Sequence, residues 1–221
     1  MKVLFLNTHK QRIDAATLQR LGRRPDVIIL AELLQGTQRY YEEALKELGY
    51  IHVSRPTLHS RKRHVRLYSQ LPLESDDRFT TPGNKLKNNW IWCRIGGLVI
   101  SGVHLPTKSM KRRPFEQLAR WTKQNVARAA LLIGDFNTTY EDEKWGPQLL
   151  EWERQGWRNL WNQVRGGNKA WTFQGTRRTD TRRRIDHAFV GLGIKKVTLT
   201  PLSAFRKLGL TDHSGLLVHI S

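Results

Sequence analysis

The chain has 221 residues, 38 of them lysine or arginine and 19 aspartate or glutamate, a formal charge of +19 over an ordinary 38% of hydrophobic residues. One domain spanning 1–221 can bury a substantial core at this length without disulfides or structural metal, and the composition excludes disordered and collagen-like chains. The basic excess weighs against small neutral substrates and neutral membranes, and points to a polyanion, nucleic acid before others.

The opening "MKVLFLNTHK" predicts a first strand that closes on Asn7; its apolar run VLFL is too short for a signal-peptide core. "IDAATLQRLG" has helical spacing with Gly22 as a stop, and "PDVIILAE" reads as a strand buried on both faces that ends in Glu32. "TQRYYEEALKELG" predicts a second amphipathic helix. The segments "YIHVS", "VRLYS", "NWIWCRI" and "LVISGVHL" predict a series of antiparallel strands, the last reaching His104. Cys93, the lone cysteine, lies inside the third of these: it excludes an intrachain disulfide, fits a reducing compartment and reads as a buried thiol. "PFEQLARWTKQNVARA" is helical with Pro114 near its first turn.

"ALLIGDFN" predicts a short buried strand, Ala129 to Ile133, stopped by Gly134 and followed by Asp135 and Asn137. Trp145, Leu149 and Trp152 recur at helical spacing, as do Trp157 and Trp161; a core face is expected there rather than a base-stacking platform. "RIDHAFVG", "KKVTLTPLS" and "GLLVHI" supply the last strands. No apolar run approaches membrane length and no linker or repeat divides the chain, so the expectation is a monomeric cytoplasmic protein of α/β layers with no membrane segment.

Polar residues recur where these strands end. Asn7 follows VLFL, Glu32 follows VIILA, and His104 follows VISGV; Asp186 and His187 interrupt "RIDHAFV", while Asp212 and His213 stand in "LTDHSGLLV". Asp135 and Asn137 belong to the same pattern, although both types also serve as turn residues at strand ends. Carboxylates and amides are ligands for a hard cation such as Mg²⁺, and imidazoles transfer protons. Spacing does not show that residues so far apart in sequence converge.

The order of these motifs resembles that of the endonuclease/exonuclease/phosphatase superfamily, to which DNase I belongs. "LNT", "PDVIILAE", "YSQLPL", "SGVHLP", "IGDFN", "TF" followed by "RIDHAFV", and "TDHSGLLV" cover nearly the whole chain. The resemblance implies a four-layer α/β sandwich, two facing mixed β-sheets flanked by helices, with the active site at one end where the strand ends meet. It implies Glu32 as the principal metal carboxylate, Asn7 beside it and Asp212 from the opposite sheet, holding Mg²⁺ or Mn²⁺. It further implies Asp135 and Asn137 as the pair that orients the attacking water and holds the phosphate. His213 would then contact the scissile phosphate, by proton transfer or by charge, with Asp186 orienting it.

His104 matches DNase I-like nucleases and sphingomyelinase-like phosphodiesterases; abasic-site endonucleases usually carry tyrosine at this place. The glutamate that supports this histidine in DNase I has no counterpart in "SRKRHVRLYSQ". His9 follows Asn7 by two positions, at a place that varies within the family.

Three basic runs complete the picture: Arg61, Lys62 and Arg63; Lys108, Lys111, Arg112 and Arg113; and Arg177, Arg178, Arg182, Arg183 and Arg184. The last two flank His104 and Asp186, where they are expected to clamp backbone phosphates of a nucleic acid, DNA before RNA. The expected activity is metal-dependent hydrolysis of DNA, as an endonuclease with little sequence preference. The alternatives are an RNA-directed or abasic-site nuclease, or a phospholipid or inositol phosphoesterase on the same fold.

Overall fold

The computed structural model describes residues 1–54, 64–74, 89–107, 112–164, 170–175 and 181–221. In chain order these form β1 (Lys2–Asn7), α1 (Ala15–Leu21), β2 (Val27–Leu33), α2 (Gln35–Glu47), β3 (His52–Val53), β4 (His64–Ser69), β5 (Trp90–Ile95) and β6 (Leu98–His104). There follow α3 (Arg112–Asn125), β7 (Ala130–Asp135), α4 (Gly146–Arg154), β8 (Arg158–Asn159), a 3-10 turn (Leu160–Gln163) and β9 (Phe173–Gln174). β10 (Arg182–Arg183), β11 (Asp186–Val190), β12 (Val197–Leu202), α5 (Ala204–Lys207) and β13 (Gly215–Ile220) complete the chain.

The apolar strands are apolar throughout because both of their faces are covered. Val3 and Phe5 of β1, with Val27 and Ile29 of β2, turn inward against Ile100, Leu131, Ile133 and Ala188 of a second sheet. Their neighbours Leu4, Leu6, Ile28 and Leu30 turn outward onto Leu18 of α1 and Tyr41 and Leu45 of α2. On the far side, Phe115, Leu118 and Trp121 of α3 and Leu149 and Trp152 of α4 cover Val99, Val103, Leu132 and Phe189. The result is a four-layer α/β sandwich with two mixed sheets, one ordered β12-β13-β1-β2-β4-β3 and the other β5-β6-β7-β11-β8.

Each sheet contains a parallel pair, β1 with β2 and β6 with β7, among antiparallel neighbours. The strands predicted as one antiparallel series divide between the sheets: β3 and β4 pair in the first, β5 and β6 in the second. Sequence alternation reports which faces are buried but not which sheet a strand joins.

Two further elements differ from the sequence reading. β7 does not stop before Gly134 but runs through it to Asp135. A Cβ on Gly134 would stand 2.1 Å from the carbonyl oxygen of Val103, its partner in the parallel ladder. The glycine is there for close strand approach, not for a turn. α4 ends at Arg154, and Gly156, at φ +103°, reverses the chain. Trp157 and Trp161 therefore do not continue α4: Trp157 precedes β8 and Trp161 falls in the 3-10 turn, although both are buried as expected of core residues. Cys93 is buried in β5, also as expected.

Gly134→Ala is expected to destabilise the fold by about 3 kcal/mol or more, because a backbone oxygen cannot yield as a side chain can. Gly209→Ala, at φ +67° with nothing within 4 Å of the added carbon, should cost only about 1–2 kcal/mol of conformational strain. Urea unfolding of both variants checks the ranking; equal losses would mean that the ladder at Gly134 relaxes freely.

Candidate active site

The predicted residues come together at one end of the sandwich. Asn7 closes β1, and its Nδ2 donates to Asp135 Oδ2 at 3.0 Å across the gap between the sheets. Its Oδ1 accepts from the backbone N–H of His9 at 2.9 Å. Glu32 lies in β2 where the register with β4 shifts between Leu30 and Leu33, and its φ is +59°. Left-handed residues also occur at the Arg23–Arg24 turn, so the dihedral alone marks nothing. What matters is that a bulge re-aims one side chain of an otherwise regular strand. The side chain so aimed is a buried carboxylate.

The second sheet presents His104 at the end of β6 and Asp135 at the end of β7, paired in register. His104 Nε2 lies 3.4 Å from Glu32 Oε1 and 3.8 Å from Asp135 Oδ2. The carboxylates beside His104 thus come from β2 and β7, not from the "SRKRHVRLYSQ" region.

Asp135 divides its two oxygens. Oδ1 accepts from the backbone N–H of Asn137 at 2.8 Å, closing a turn, while Oδ2 faces Asn7, His104 and His213. The turn geometry is therefore present, and the second oxygen of the same carboxylate is left facing the cluster. Asn137, at φ +51°, anchors its Nδ2 on the carbonyl of Leu105 at 2.7 Å.

Asp186 begins β11, in register with Asp135, and accepts from His213 Nδ1 at 2.9 Å. His213 Nε2 lies 3.8 Å from Asp135 and 3.7 Å from Asp212. Asp212 and His213 immediately precede β13, which pairs with β1. Asp212 therefore comes from the same sheet as Asn7 and Glu32, not from the opposite one. A motif at the C-terminus of the sequence gives no sign of which sheet it joins.

Several supporting groups escaped the sequence reading. Thr172 Oγ1 accepts from the N–H groups of Ile185 and Asp186 at 3.2 and 3.1 Å. Thr211 Oγ1 donates to the carbonyl of Asn7 at 2.8 Å, tying the Asp212 turn to β1. The ring of Phe173 packs on His213 at 5.1 Å between centroids, and His9 Nδ1 reaches Asp212 Oδ2 at 3.3 Å. Thr172, Phe173 and Thr211 lay in motifs quoted above and His9 was named there, but none was given a supporting role.

Burial, and next the charge of Asp186, push the Asp135 carboxyl up to about 7, against the opposing pull of His213, the Asn137 N–H and the Asn7 amide. Burial alone would depress His213, but the Asp186 carboxylate on Nδ1, with Asp135 and Asp212 nearby, outweighs it and lifts the imidazole to about 10. Buried negative charge in excess, offered by hard oxygen donors, fits a hard divalent cation. Among the described residues, Asp135, Asp186 and His213 bring titratable ligand atoms within 4.8 Å of one another. The hydrogen bond between Asp186 and His213 already joins two of these; Asn7, Glu32 and Asp212 offer further oxygen atoms from the first sheet and the turn before β13.

His187 does not join the site. It points the other way, with Nε2 donating to the Thr138 carbonyl at 2.9 Å and its ring against Phe136 and Phe189.

Of the basic residues, Arg61, Lys62, Arg63, Lys108, Lys111, Arg177 and Arg178 lie outside the described residues. Arg112 and Arg113 open α3, exposed, and Arg112 Nε pairs with Glu116 at 3.0 Å. Arg182 and Arg183 form the short exposed β10. Arg182 lies over the ring of Trp171 at 5.0 Å and Arg184 over Trp161 at 5.6 Å.

No protein-family model matches the chain, and no curated protein matches it by sequence. Solved structures do. The 3'-5' exonuclease (NExo) of Neisseria meningitidis superposes with a TM-score of 0.81 at 18% identity, over 100% of both chains. The 3' phosphatase NExo from Neisseria, bound to a product DNA hairpin, gives 0.78 at 18% identity over 100% of this chain and 99% of that one. An AP endonuclease from Archaeoglobus fulgidus gives 0.83 at 15% identity over 100% and 99%. The fold they share with this chain is DNase I-like.

Burial holds His187 down at about 4, against about 6.5 for a solvated imidazole. The unfolded chain therefore takes up this proton first, and the stability His187 contributes above pH 6.5 is lost as the pH falls toward 4, by up to about 3 kcal/mol. His187→Phe should lose about 1–3 kcal/mol at pH 7.5 by removing the buried hydrogen bond to the Thr138 carbonyl, and then show a shallower decline over that window. Urea unfolding at pH 7.5, 6, 5 and 4.2 checks both halves; parallel pH profiles would remove His187 as the acid-sensitive group.

Proposed function

We propose that this chain, which has the fold of the endonuclease/exonuclease/phosphatase superfamily, is a divalent-metal-dependent phosphodiesterase that hydrolyses DNA as an endonuclease with little sequence preference. The carrying observation is the convergence of Asn7, Glu32, His104, Asp135, Asp186, Asp212 and His213 through contacts of 2.9–3.8 Å. The charge of +19 supports a nucleic-acid substrate, and the DNA product held by the Neisseria enzyme supports DNA within that class. Residues 1–221 act as one domain, because the core between the sheets draws on strands from Val3 to Val218.

Asn7, Glu32 and Asp212 would hold Mg²⁺ or Mn²⁺, which when bound neutralises phosphate charge and stabilises the leaving oxygen. The remaining chemistry belongs to the side chains. Asp135, whose carboxyl titrates near neutrality, is suited to accept the proton of an attacking water. Asn137, locked onto Leu105, orients that water and the phosphate. His213 is held charged by Asp186, so it meets the scissile phosphate as a cation rather than as a base. His104, whose Nε2 lies 3.8 Å from Asp135 Oδ2, supplies the proton to the leaving oxygen.

The deciding assay incubates the pure protein with supercoiled plasmid, linear duplex, single-stranded DNA and RNA, each with Mg²⁺, Mn²⁺ or EDTA. Nicking and linearisation of plasmid with metal is the expected result. Cleavage of RNA alone, of abasic duplex alone, or from ends alone would replace the reading by one of its neighbours on this fold.

Glu32→Gln and Asp212→Asn should each lower kcat by at least about a hundredfold while leaving far-UV circular dichroism unchanged. Mg²⁺ should raise the melting temperature of the wild type but not of either variant. Full turnover after metal stripping in EDTA would end the metal-dependent reading. His104→Ala should slow an ordinary phosphodiester by about 100- to 10,000-fold, yet spare a nitrophenyl ester whose leaving group needs no proton. Equal losses on both substrates would reassign His104 to phosphate binding.

A further inference from the structure

Beside the catalytic residues lies a cluster that the metal chemistry does not use. Arg206, on α5, stacks its guanidinium on the ring of Trp171 at 3.4 Å. Its Nε donates to Ser214 Oγ at 3.4 Å and its Nη1 to Gln174 Oε1 at 3.2 Å. Arg182 lies over the same indole at 5.0 Å. Among the described residues Arg206 forms no ion pair with a carboxylate. Its contacts are two neutral oxygens and a ring, and a second guanidinium stands close by. Burial, and next the charge of Arg182, lower its affinity for its own proton.

Two like charges drawn to one ring repel each other, and an anion seated against them would relieve that repulsion. Both ends of the cluster are tied to the catalytic turn: Ser214 follows His213 directly, and the backbone N–H of Gln174 donates to the Asp212 carbonyl at 3.1 Å. Arg182 and Trp171, with Arg183 and Arg184 and the carboxylates Glu141 and Asp142, also line a cavity of about 770 Å³ that reaches Asn137 and beside which Arg206 stands on the Trp171 ring.

We propose that Arg206 and Arg182, braced on Trp171, form a second phosphate site that grips the substrate strand next to the scissile phosphate. The proposal rests on the nuclease reading above for its substrate class, a nucleic-acid strand longer than one nucleotide. A guanidinium stacked on an indole loses little freedom when it binds a phosphate, and its planar donors match phosphate oxygens. Ser214 and Gln174 fix the guanidinium from two directions, so the grip is positioned before the strand arrives. A small phosphodiester confined to the metal centre does not reach it.

The test measures binding of a fluorescent 12-base-pair duplex in EDTA at several salt concentrations, for the wild type, Arg206→Ala, Arg206→Lys and Trp171→Leu. Removing one phosphate contact should weaken binding about tenfold at physiological salt and flatten the slope of log affinity against log salt by about 0.9. Arg206→Lys keeps the charge, so it should retain the slope while losing part of the affinity. Trp171→Leu should weaken binding without abolishing the salt dependence. Melting temperatures of all four proteins separate a folding defect from a binding defect, and the lysine variant carries the test if the alanine variant does not fold.

Unchanged affinity and slope in Arg206→Ala, with plasmid still cleaved by the wild type, would overturn the phosphate site and leave the nuclease reading intact. Duplex binding that depends on Arg206 in a protein that cleaves no nucleic acid would do the reverse.

Discussion

Two parallel strand pairs, one in each sheet, decide where chemistry can occur in this molecule. In β1 and β2 the register sets Asn7 opposite Ala31, next to the bulge that carries Glu32. In β6 and β7 it sets His104 opposite Asp135. Parallel neighbours end at the same edge of a sheet, so each pair delivers two side chains to one lip. The antiparallel strands β11 and β13 begin where their partners end, which brings Asp186 opposite Asp135 and the Asp212–His213 turn beside Asn7. Face-to-face packing then sets the two lips together, and the Asn7–Asp135 hydrogen bond spans them.

The arrangement concentrates negative charge at the centre of a strongly positive protein. Carboxylates from both sheets surround two imidazoles, and the strain of that crowding is visible in Asp135, held up near neutrality by burial and by Asp186. The same crowding keeps His213 charged. Under the proposed function, a polyanion attracted by the net charge of +19 would meet a centre whose own charge repels it. Long-range attraction and local repulsion act at different distances, and the metal of the proposed mechanism would reconcile them.

The supporting residues explain how so polar a cluster stays fixed. Thr172 holds the start of β11, Thr211 holds the Asp212 turn, and Leu105 holds Asn137. Each joins separate segments of the chain through one or two hydrogen bonds. Arg206 and Trp171 extend the same scaffolding outward from the Asp212–His213 turn.

Much of this could be read from the chain alone. Alternating or unbroken apolar runs identified the longer strands but not the two-residue β8, β9 and β10, helical spacing identified α1 to α4, and polar residues at strand ends marked the candidate site, because each of these is a local consequence of burial on one face or two. Order along the chain added the fold by resemblance. Sheet membership was not legible: β3 to β6 divide between sheets and Asp212 joins Asn7 rather than facing it, since pairing is set by long-range ladders that leave no local period. Gly134 read as a stop because a glycine required by a neighbouring backbone looks the same in sequence as one required by a turn. Only the tertiary structure put Arg206 beside Trp171 and Ser214, for a charge gains its meaning from neighbours that the chain supplies from elsewhere.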